Sequence, residues 1–333
     1  MQICEYVNIL YGYIPIYYGR KYIFMSKSFD DLLAKVRQCS KKTLSVACAQ
    51  DEAVLEAVSE AHQLGIVDAI LVGDEAKIRE LCGTLGINVD DYRIINEPDN
   101  VAASLTAVKF VHDGEADMYM KGLLNTKDFL KSVLNKEVGL RTGKALSHVC
   151  VFEIPGIDHL LFLSDVAFMP YPTLEDKKAI INYTVDVAHA CGVEKPHVAP
   201  LAAVEVVNPK MQVTVDAEEL RKAYEAGEFG DDCVVDGPLS LDIALYDEAA
   251  AEKGAQDRPC AGKADILVFP DIHAGNLVYK AIVHMVPGIK NGNCLTGTKA
   301  PVILTSRSDT KEVKVNSIAL AAVISESMKT VNG

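Results

Sequence analysis

Along most of this chain, short apolar runs alternate with segments whose apolar residues recur every three to four positions. From Leu44 onward the order is strand-like LSVACA, helix-like DEAVLEAVSEAHQLG, strand-like DAILVGD and helix-like AKIRELCGTLG. The runs have the length of buried strands, and the periodic segments have that of helices with one apolar face. RIINEP, VAASLTAVKFVHDG and ADMYMKG repeat the scheme. Strands alternating with helices of this size predict an α/β fold, a parallel sheet covered by helices on both faces. Ligands of such sheets bind beyond the carboxyl ends of the strands.

Around Gly143 the pattern changes. HVCVFEIPG and HLLFLSDVAFMPYP lie next to each other with a Pro-Gly turn between them, which predicts a hairpin and the entry to a second domain. The helix LEDKKAIINYTVDVAHACGV, the strand HVAPLAAVEV and the helix DAEELRKAYEAGEF follow. Next come the loop DGPLSLDIALYDEAAAEKG, the strand ADILVFP and the helical GNLVYKAIVHMV. Residues 301–304 form a last apolar run, and Ile318, Ala321, Ala322, Ser325 and Met328 share one helix face. The turn between them is residues 305–310. The expected organisation is two doubly wound α/β domains, residues 25–145 plus 298–333 and residues 146–297. The C-terminal segment then returns to the first domain's sheet, and the turn lies in the interdomain cleft.

That turn carries the most specific chemistry. Arg307, flanked by the hydroxyls of Ser306 and Ser308 where a strand ends and a helix begins, joins a fixed positive charge to unpaired backbone N–H groups and the positive end of a helix dipole. This is the composition of a phosphate site; it is also that of a surface loop whose Ser and Asp cap a helix. A second candidate cradle follows ADMYMKG, where Gly122 permits a tight turn, Thr126 can cap a helix, and Lys127 and Lys131 add positive charge. An ordinary loop with solvated lysines reads the same way. GNCLTGTK has its lysine displaced by one place from a phosphate loop and continues into Ala300, so ATP binding through it is rejected. His273, beside Asp271, is the histidine to watch.

Composition narrows the remaining choices. The 333 residues can fill two domains. Mean hydropathy is only +0.13 and no window offers the roughly 20 apolar residues of a membrane span. A net charge of -13 argues against nucleic acid as a partner. Nine cysteines without a CxxC pattern indicate reduced thiols and a cytoplasmic address, with no metal site. Residues 1–24 are tyrosine-rich and lack the features of a signal peptide, whereas Met25 precedes a Ser28-capped helix. They are expected to be a non-native or disordered extension read in frame from upstream.

Four ordered motifs carry a resemblance: VAPLAAVEVVNPKM, DGPLSLDIAL, AGKADILVFPDIHAGNLVYKA and PVILTSRSD. Together they resemble the phosphate acetyl/butyryltransferase family over nearly all of residues 25–333, with VEVVNPKM and SRSD most like its butyryltransferase branch. The resemblance implies an isocitrate/isopropylmalate dehydrogenase-like fold with the active site between two domains, usually in a homodimer or higher homo-oligomer. It implies reversible acyl transfer between CoA and inorganic phosphate, butyryl-CoA plus phosphate giving butyryl phosphate plus CoA. Acyl-CoA is then a substrate, no cofactor is tightly bound, and a separate kinase can consume the acyl phosphate. Acetyl transfer is the alternative within the family, and a metal- and NAD-dependent hydroxy-acid dehydrogenase is the alternative outside it. By this resemblance Ser306 and Arg307 match a Ser-Arg pair implicated in binding and catalysis. Thr126 and Lys131 match a threonine-and-basic helix start, and Asn276 and Lys280 become candidates for phosphate or CoA contacts. The aspartate proposed as general base in the acetyltransferases is replaced here by Val313. Asp309 and Glu312 are the nearest carboxylates, Asp309 read either as that base or as a helix cap and Glu312 as a solvated first-turn charge.

Overall fold

The computed structural model describes residues 26–306 and 309–332. The extension expected at residues 1–24 lies outside them.

The first half builds as its periodicity predicts. α1 (Phe29–Val36) begins at Ser28, whose hydroxyl accepts from Asp31 N at 3.1 Å. There follow β1 (Lys42–Ala47), α2 (Glu52–Gln63), β2 (Val67–Gly73), α3 (Glu75–Leu85), β3 (Arg93–Asn96), α4 (Asn100–His112), β4 (Met118–Lys121) and α5 (Thr126–Val133). Asp51, Asp74 and Asp99 cap α2, α3 and α4, each satisfying N–H groups that the first helical turn leaves unpaired. α5 departs from expectation by one residue. Asn125, not Thr126, is the cap, and its Oδ1 accepts from Asp128 N at 2.9 Å.

The second half contains β5 (Ser147–Glu153), β6 (Leu161–Ser164), α6 (Leu174–Ala190), β7 (His197–Pro200), α7 (Gln212–Glu225), β8 (Val234–Val235), α8 (Leu241–Leu245), α9 (Asp247–Glu252), β9 (Ile266–Val268), α10 (Ile272–Met285), β10 (Lys290–Thr296), β11 (Val302–Ile303) and α11 (Lys311–Asn332). β5 and β6 pair as the expected hairpin. The strand expected over HVAPLAAVEV stops at Pro200; a single bridge from Leu201 to Leu239 follows, and the chain beyond swings out until Val206 is 74% exposed. The expected loop over DGPLSLDIALYDEAAAEKG instead winds into α8 and α9.

All strands join one mixed sheet in the order β3-β2-β1-β4-β11-β10-β5-β6-β9-β7-β8. It is therefore not wholly parallel. Two parallel groups, β3-β2-β1-β4-β11 and β6-β9-β7-β8, are joined through β10 and β5, which run antiparallel to their neighbours in the centre. β11 pairs with β4, Val302 opposite Tyr119, so the carboxyl ends of β1, β4 and β11 lie side by side. α11 lies against β10 and α2, with Val315, Ile318, Leu320 and Ala322 all buried. A helix this enclosed fixes where its own N-terminus, and the turn before it, must sit.

Candidate active site

The turn after β11 is braced from both sides. Ser306 N–H donates to Asp309 Oδ2 at 2.7 Å, and Asp309 N–H donates back to Ser306 O at 3.2 Å. Beneath it Lys314, 2% exposed on α11, donates its Nζ to Asp309 O at 2.6 Å and to Ser306 O at 3.5 Å. Thr310, not Asp309, caps α11, its Oγ1 accepting from Val313 N at 3.3 Å. The Asp309 carboxylate thus serves the Ser306 amide, and the ammonium of Lys314 gathers the carbonyls. Ser306 is exposed at the surface of this brace, Val313 is half-buried and Glu312 is exposed. Arg307 and Ser308 lie outside the described residues.

A buried cation stands on the adjoining strand. Lys121 ends β4, opposite Ala47 of β1 and beside β11, and is only 5% exposed. The chain then passes so close to the end of β1 that a Cβ on Gly122 would lie 2.3 Å from Cys48 O and 2.5 Å from Ala47 O. Gly122 N–H and Leu123 N–H donate to those same carbonyls at 2.8 and 2.7 Å. Glycine is required by this approach of backbone to backbone. Burial pushes the Cys48 thiol up to about 12, with the Asp99 charge adding to the rise and Lys121 opposing it, so Cys48 remains a thiol rather than a nucleophile.

Polar groups are also buried on β5 and on β10, which pairs with β5 and packs against α11. Cys150 stands opposite Asn293 in the register, Asn291 Nδ2 donates to Cys150 Sγ at 3.8 Å, and the Tyr279 ring of α10 lies 5.9 Å from that of Phe152. His148 lies on the same strand face as Cys150. Burial holds the His148 imidazole below its ordinary range, partly offset by the charges of Asp165 and Asp309. Burial likewise raises the Cys150 thiol and the Tyr279 phenol, each with a smaller push from Asp309. Asp165 is fully engaged, accepting from His148 N at 2.9 Å, Ser147 Oγ at 3.1 Å, Ala167 N at 2.8 Å and Phe168 N at 2.7 Å. His148 Nδ1 and Asn293 Oδ1 are buried without a hydrogen-bond partner among the described residues.

The structure brings Ser306 and Asp309 into direct contact, whereas Tyr279 of α10 packs against Phe152 of β5. Asn276, on the same helix, is half-buried and donates Nδ2 to Val166 O at 2.9 Å, tying α10 to the loop after β6. Lys280 is exposed, its Nζ 5.1 Å from the Tyr279 ring centroid. Thr126 is exposed at the start of α5. Lys131 sits in the last turn of that helix, 65% exposed and paired with Asp128 at 2.8 Å. His273, exposed, meets the Tyr171 hydroxyl at 3.0 Å.

Sequence reasoning did not single out Lys314, Lys121 or His148. Lys314 had a signal, for it lies four residues before Ile318 on the buried face of α11. Lys121 had a weaker one, a charge closing an otherwise apolar strand.

Known proteins resemble this chain in sequence and in fold. The sequence model of the family described as phosphate acetyl/butaryl transferase matches residues 28–102 and 99–322, a span that includes the braced turn. The chain is 55% identical over 300 residues to the phosphate butyryltransferase of Clostridium acetobutylicum, covering 90% of this chain and 99% of that protein. It is 42% identical over 295 residues to the phosphate acetyltransferase of Thermotoga maritima, covering 89% of this chain and 99% of that one. Among solved structures, a branched-chain phosphotransacylase from Enterococcus faecalis V583 superposes with a TM-score of 0.75 at 32% identity, over 85% of this chain and 99% of that one. This chain belongs to the phosphate acetyl/butaryl transferase family.

Proposed function

We propose that this protein is an acyltransferase that moves a short-chain acyl group, butyryl in the first instance, reversibly between CoA and inorganic phosphate. The observation that carries the reading is the 55% identity to a phosphate butyryltransferase over 99% of that enzyme's length. Hydrogen phosphate attacks the thioester carbonyl, a C–O bond forms as the C–S bond breaks, and the departing thiolate takes the proton that phosphate brought. Charge and atoms balance without a redox partner, and no cofactor need be tightly bound.

The reaction needs positive charge for phosphate and donors for the oxyanion of the tetrahedral intermediate. Arg307 offers phosphate a planar two-pronged donor, and buried Lys121 adds a second cation at the neighbouring strand end. Ser306 and Ser308 offer hydroxyl donors, and Asn276 and Lys280 of α10 approach from the other parallel group. Thr126 at the start of α5 and Lys131 in its last turn lend a helix N-terminus and a positive charge to the more distant parts of CoA. Asp309 orients Ser306 through its bond to the amide, and Lys314 holds the turn from below.

In this reading the two parallel groups are the doubly wound halves of an isocitrate/isopropylmalate dehydrogenase-like fold, with catalysis in the cleft between them. The enzyme works as a cytoplasmic homodimer or higher oligomer and supplies acyl phosphate to a kinase. Support for self-association is Leu277 and Met285, 71% and 78% exposed on α10. Phosphorus NMR of protein incubated with butyryl-CoA and phosphate should show an acyl phosphate resonance growing with time. Its absence, with CoA still bound, would leave a binding protein.

A further inference from the structure

A buried polar seam crosses the middle of the sheet, and nothing in the reaction so far uses it. In register, Tyr119 of β4, Val302 of β11, Leu295 of β10 and His148 of β5 stand in one row. The next row, two residues along each strand, is Lys121, Leu304, Asn293 and Cys150, on the same sheet face because alternate residues share a face. Apolar packing on that face divides here. One cluster takes Tyr119, Val302 and Leu295, another takes Cys150 and Phe152, and His148 and Asn293 stand at the junction, 5% and 2% exposed. We propose that His148 is a catalytic residue of the acyl transfer, its Nδ1 taking the proton from hydrogen phosphate and passing it to the departing thiolate. The proposal rests on the acyl-transfer reading above and supplies a carrier for the proton that moves in it.

Two acceptors are left unmet in this seam. His148 Nδ1 and Asn293 Oδ1 are both buried with no hydrogen-bond partner among the described residues. Unmet buried acceptors are costly, and two of them on adjacent strands mark a place for a donor that the reaction brings. The tautomer suits the role. The ring is hydrogen-bonded to the Leu304 backbone, whose carbonyl takes the Nε2 proton, so Nδ1 keeps its lone pair. That bond also ties His148 to the braced turn, since Leu304 lies two residues before Ser306. Asn293 is held by its side-chain bond to the Tyr279 hydroxyl of α10. Diagonal neighbours on paired strands are about 7 Å apart, within reach of an imidazole and an amide, so Asn293 Oδ1 accepts from Nδ1 once that atom carries a proton.

The neighbouring groups leave the role to this ring. Asp165 spends its carboxylate on four donors and Asp309 serves the Ser306 amide. Burial raises the Cys150 thiol and the Tyr279 phenol, so neither ionises at neutral pH. Val313 has no proton to exchange, and Glu312 is exposed. Burial keeps the His148 ring neutral at rest, while the charges of Asp165 and Asp309 favour the imidazolium that forms in passing. Lys121 of the second row stands two strand spacings, roughly 10 Å, from Asn293. That leaves room for a phosphate whose charge faces the lysine and whose O–H faces His148. The O–H bond then breaks towards Nδ1 as the C–O bond forms. The C–S bond breaks next, and Nδ1–H protonates the sulfur, which returns the imidazole to its neutral form. In the reverse direction Nδ1 takes the proton of the CoA thiol.

The test runs the reaction towards thioester, butyryl phosphate plus CoA, because a thiol of pKa about 8.5 must then lose its proton. In wild type, kcat/KM should fall about tenfold per pH unit below the folded value of His148, which lies under 6.5. Ring NMR of wild type should show His148 titrating at that same value, and a mismatch would overturn the proposal without any variant. His148→Gln, which keeps a donor for the Leu304 carbonyl, should lower kcat about a hundredfold or more, change the KM for CoA less than about threefold and lose the acid limb. A loss under about tenfold, or a limb that persists, would overturn the assignment. His148→Ala opens a ring-sized hole, and added imidazoles should restore its rate in order of their basicity. Equal rescue by weakly basic thiazole would overturn it too, showing a ring that only fills space. Wild type without turnover in either direction would defeat the acyl-transfer reading and this proposal with it, whereas an active wild type with an unimpaired Gln variant would defeat the proposal alone.

Discussion

Replacing Asp309 separates a brace from a base. In the structure its carboxylate accepts the Ser306 amide at 2.7 Å, a charge-assisted bond worth about 1.5 to 3 kcal/mol, against about 0.5 to 1.5 for a neutral one. Asp309→Asn keeps an acceptor at the same reach and loses only the charge, a cost of about 1 kcal/mol. Asp309→Ala loses the bond entirely, a cost of about 2 kcal/mol. If turnover follows the occupancy of the ordered turn, these become losses of about fivefold and thirtyfold. Removing a true general base costs about a hundredfold to ten-thousandfold, and Asn and Ala would then be equally poor. Initial rates of thiol release at saturating phosphate and butyryl-CoA measure both variants, with circular dichroism to verify folding. Equal losses above a hundredfold would refute the brace and make Asp309 the base.

Other expectations follow from the same contacts. Lys314→Met should cut kcat more than it changes the KM for butyryl-CoA, because it frees the carbonyls of Ser306 and Asp309 without touching the CoA arm; steady-state kinetics will show the split, and a change confined to KM would contradict it. Gly122→Ala should destabilise the fold by roughly 2 to 4 kcal/mol, since its Cβ would meet the Cys48 and Ala47 carbonyls at 2.3 and 2.5 Å; a urea midpoint unchanged from wild type would contradict that. His148 imposes a pH slope of defined sign. Its folded imidazole binds a proton less readily than the unfolded one, whose ordinary value is 6.5, so unfolding takes up a proton as pH falls below 6.5 and stability falls with it. Above 6.5 the contribution is complete. His148→Gln should flatten that acid limb in urea titrations, and an unchanged limb would show that His148 is not its source.

Much of the framework was legible because local rules and the final packing agree. The strand, turn and helix at residues 301–328 could be read from an apolar run followed by a single helix face, and β11 and α11 fall there. The β5–β6 hairpin could be read from two apolar runs around a Pro-Gly turn. What was hidden depended on partners distant in sequence. Nothing within residues 290–296 announces a strand, with Gly292 and two asparagines inside it, yet the segment pairs with β5 along its whole length. Its Gly292 lies where a Cβ would be 3.0 Å from the Asn316 backbone, a demand set by α11. Conversely, Val204 and Val206 look like the end of a strand but pair with no strand and stand exposed. At the site, Ser306 and Asp309 were visible because the turn concentrates hydroxyls and charge. Lys314 and Lys121 were not, because only packing shows that a lysine is buried beneath a turn rather than solvated.

Phosphate-dependent release of free thiol from butyryl-, acetyl- and branched acyl-CoA, followed with a thiol reagent, tests the central claim most directly. The account predicts release that requires phosphate and is most efficient, in kcat/KM, with butyryl-CoA. Preference for acetyl-CoA would move the enzyme to the acetyl branch. No phosphate-dependent release from any of these thioesters would contradict the assignment of acyl transfer to the braced Ser306 turn.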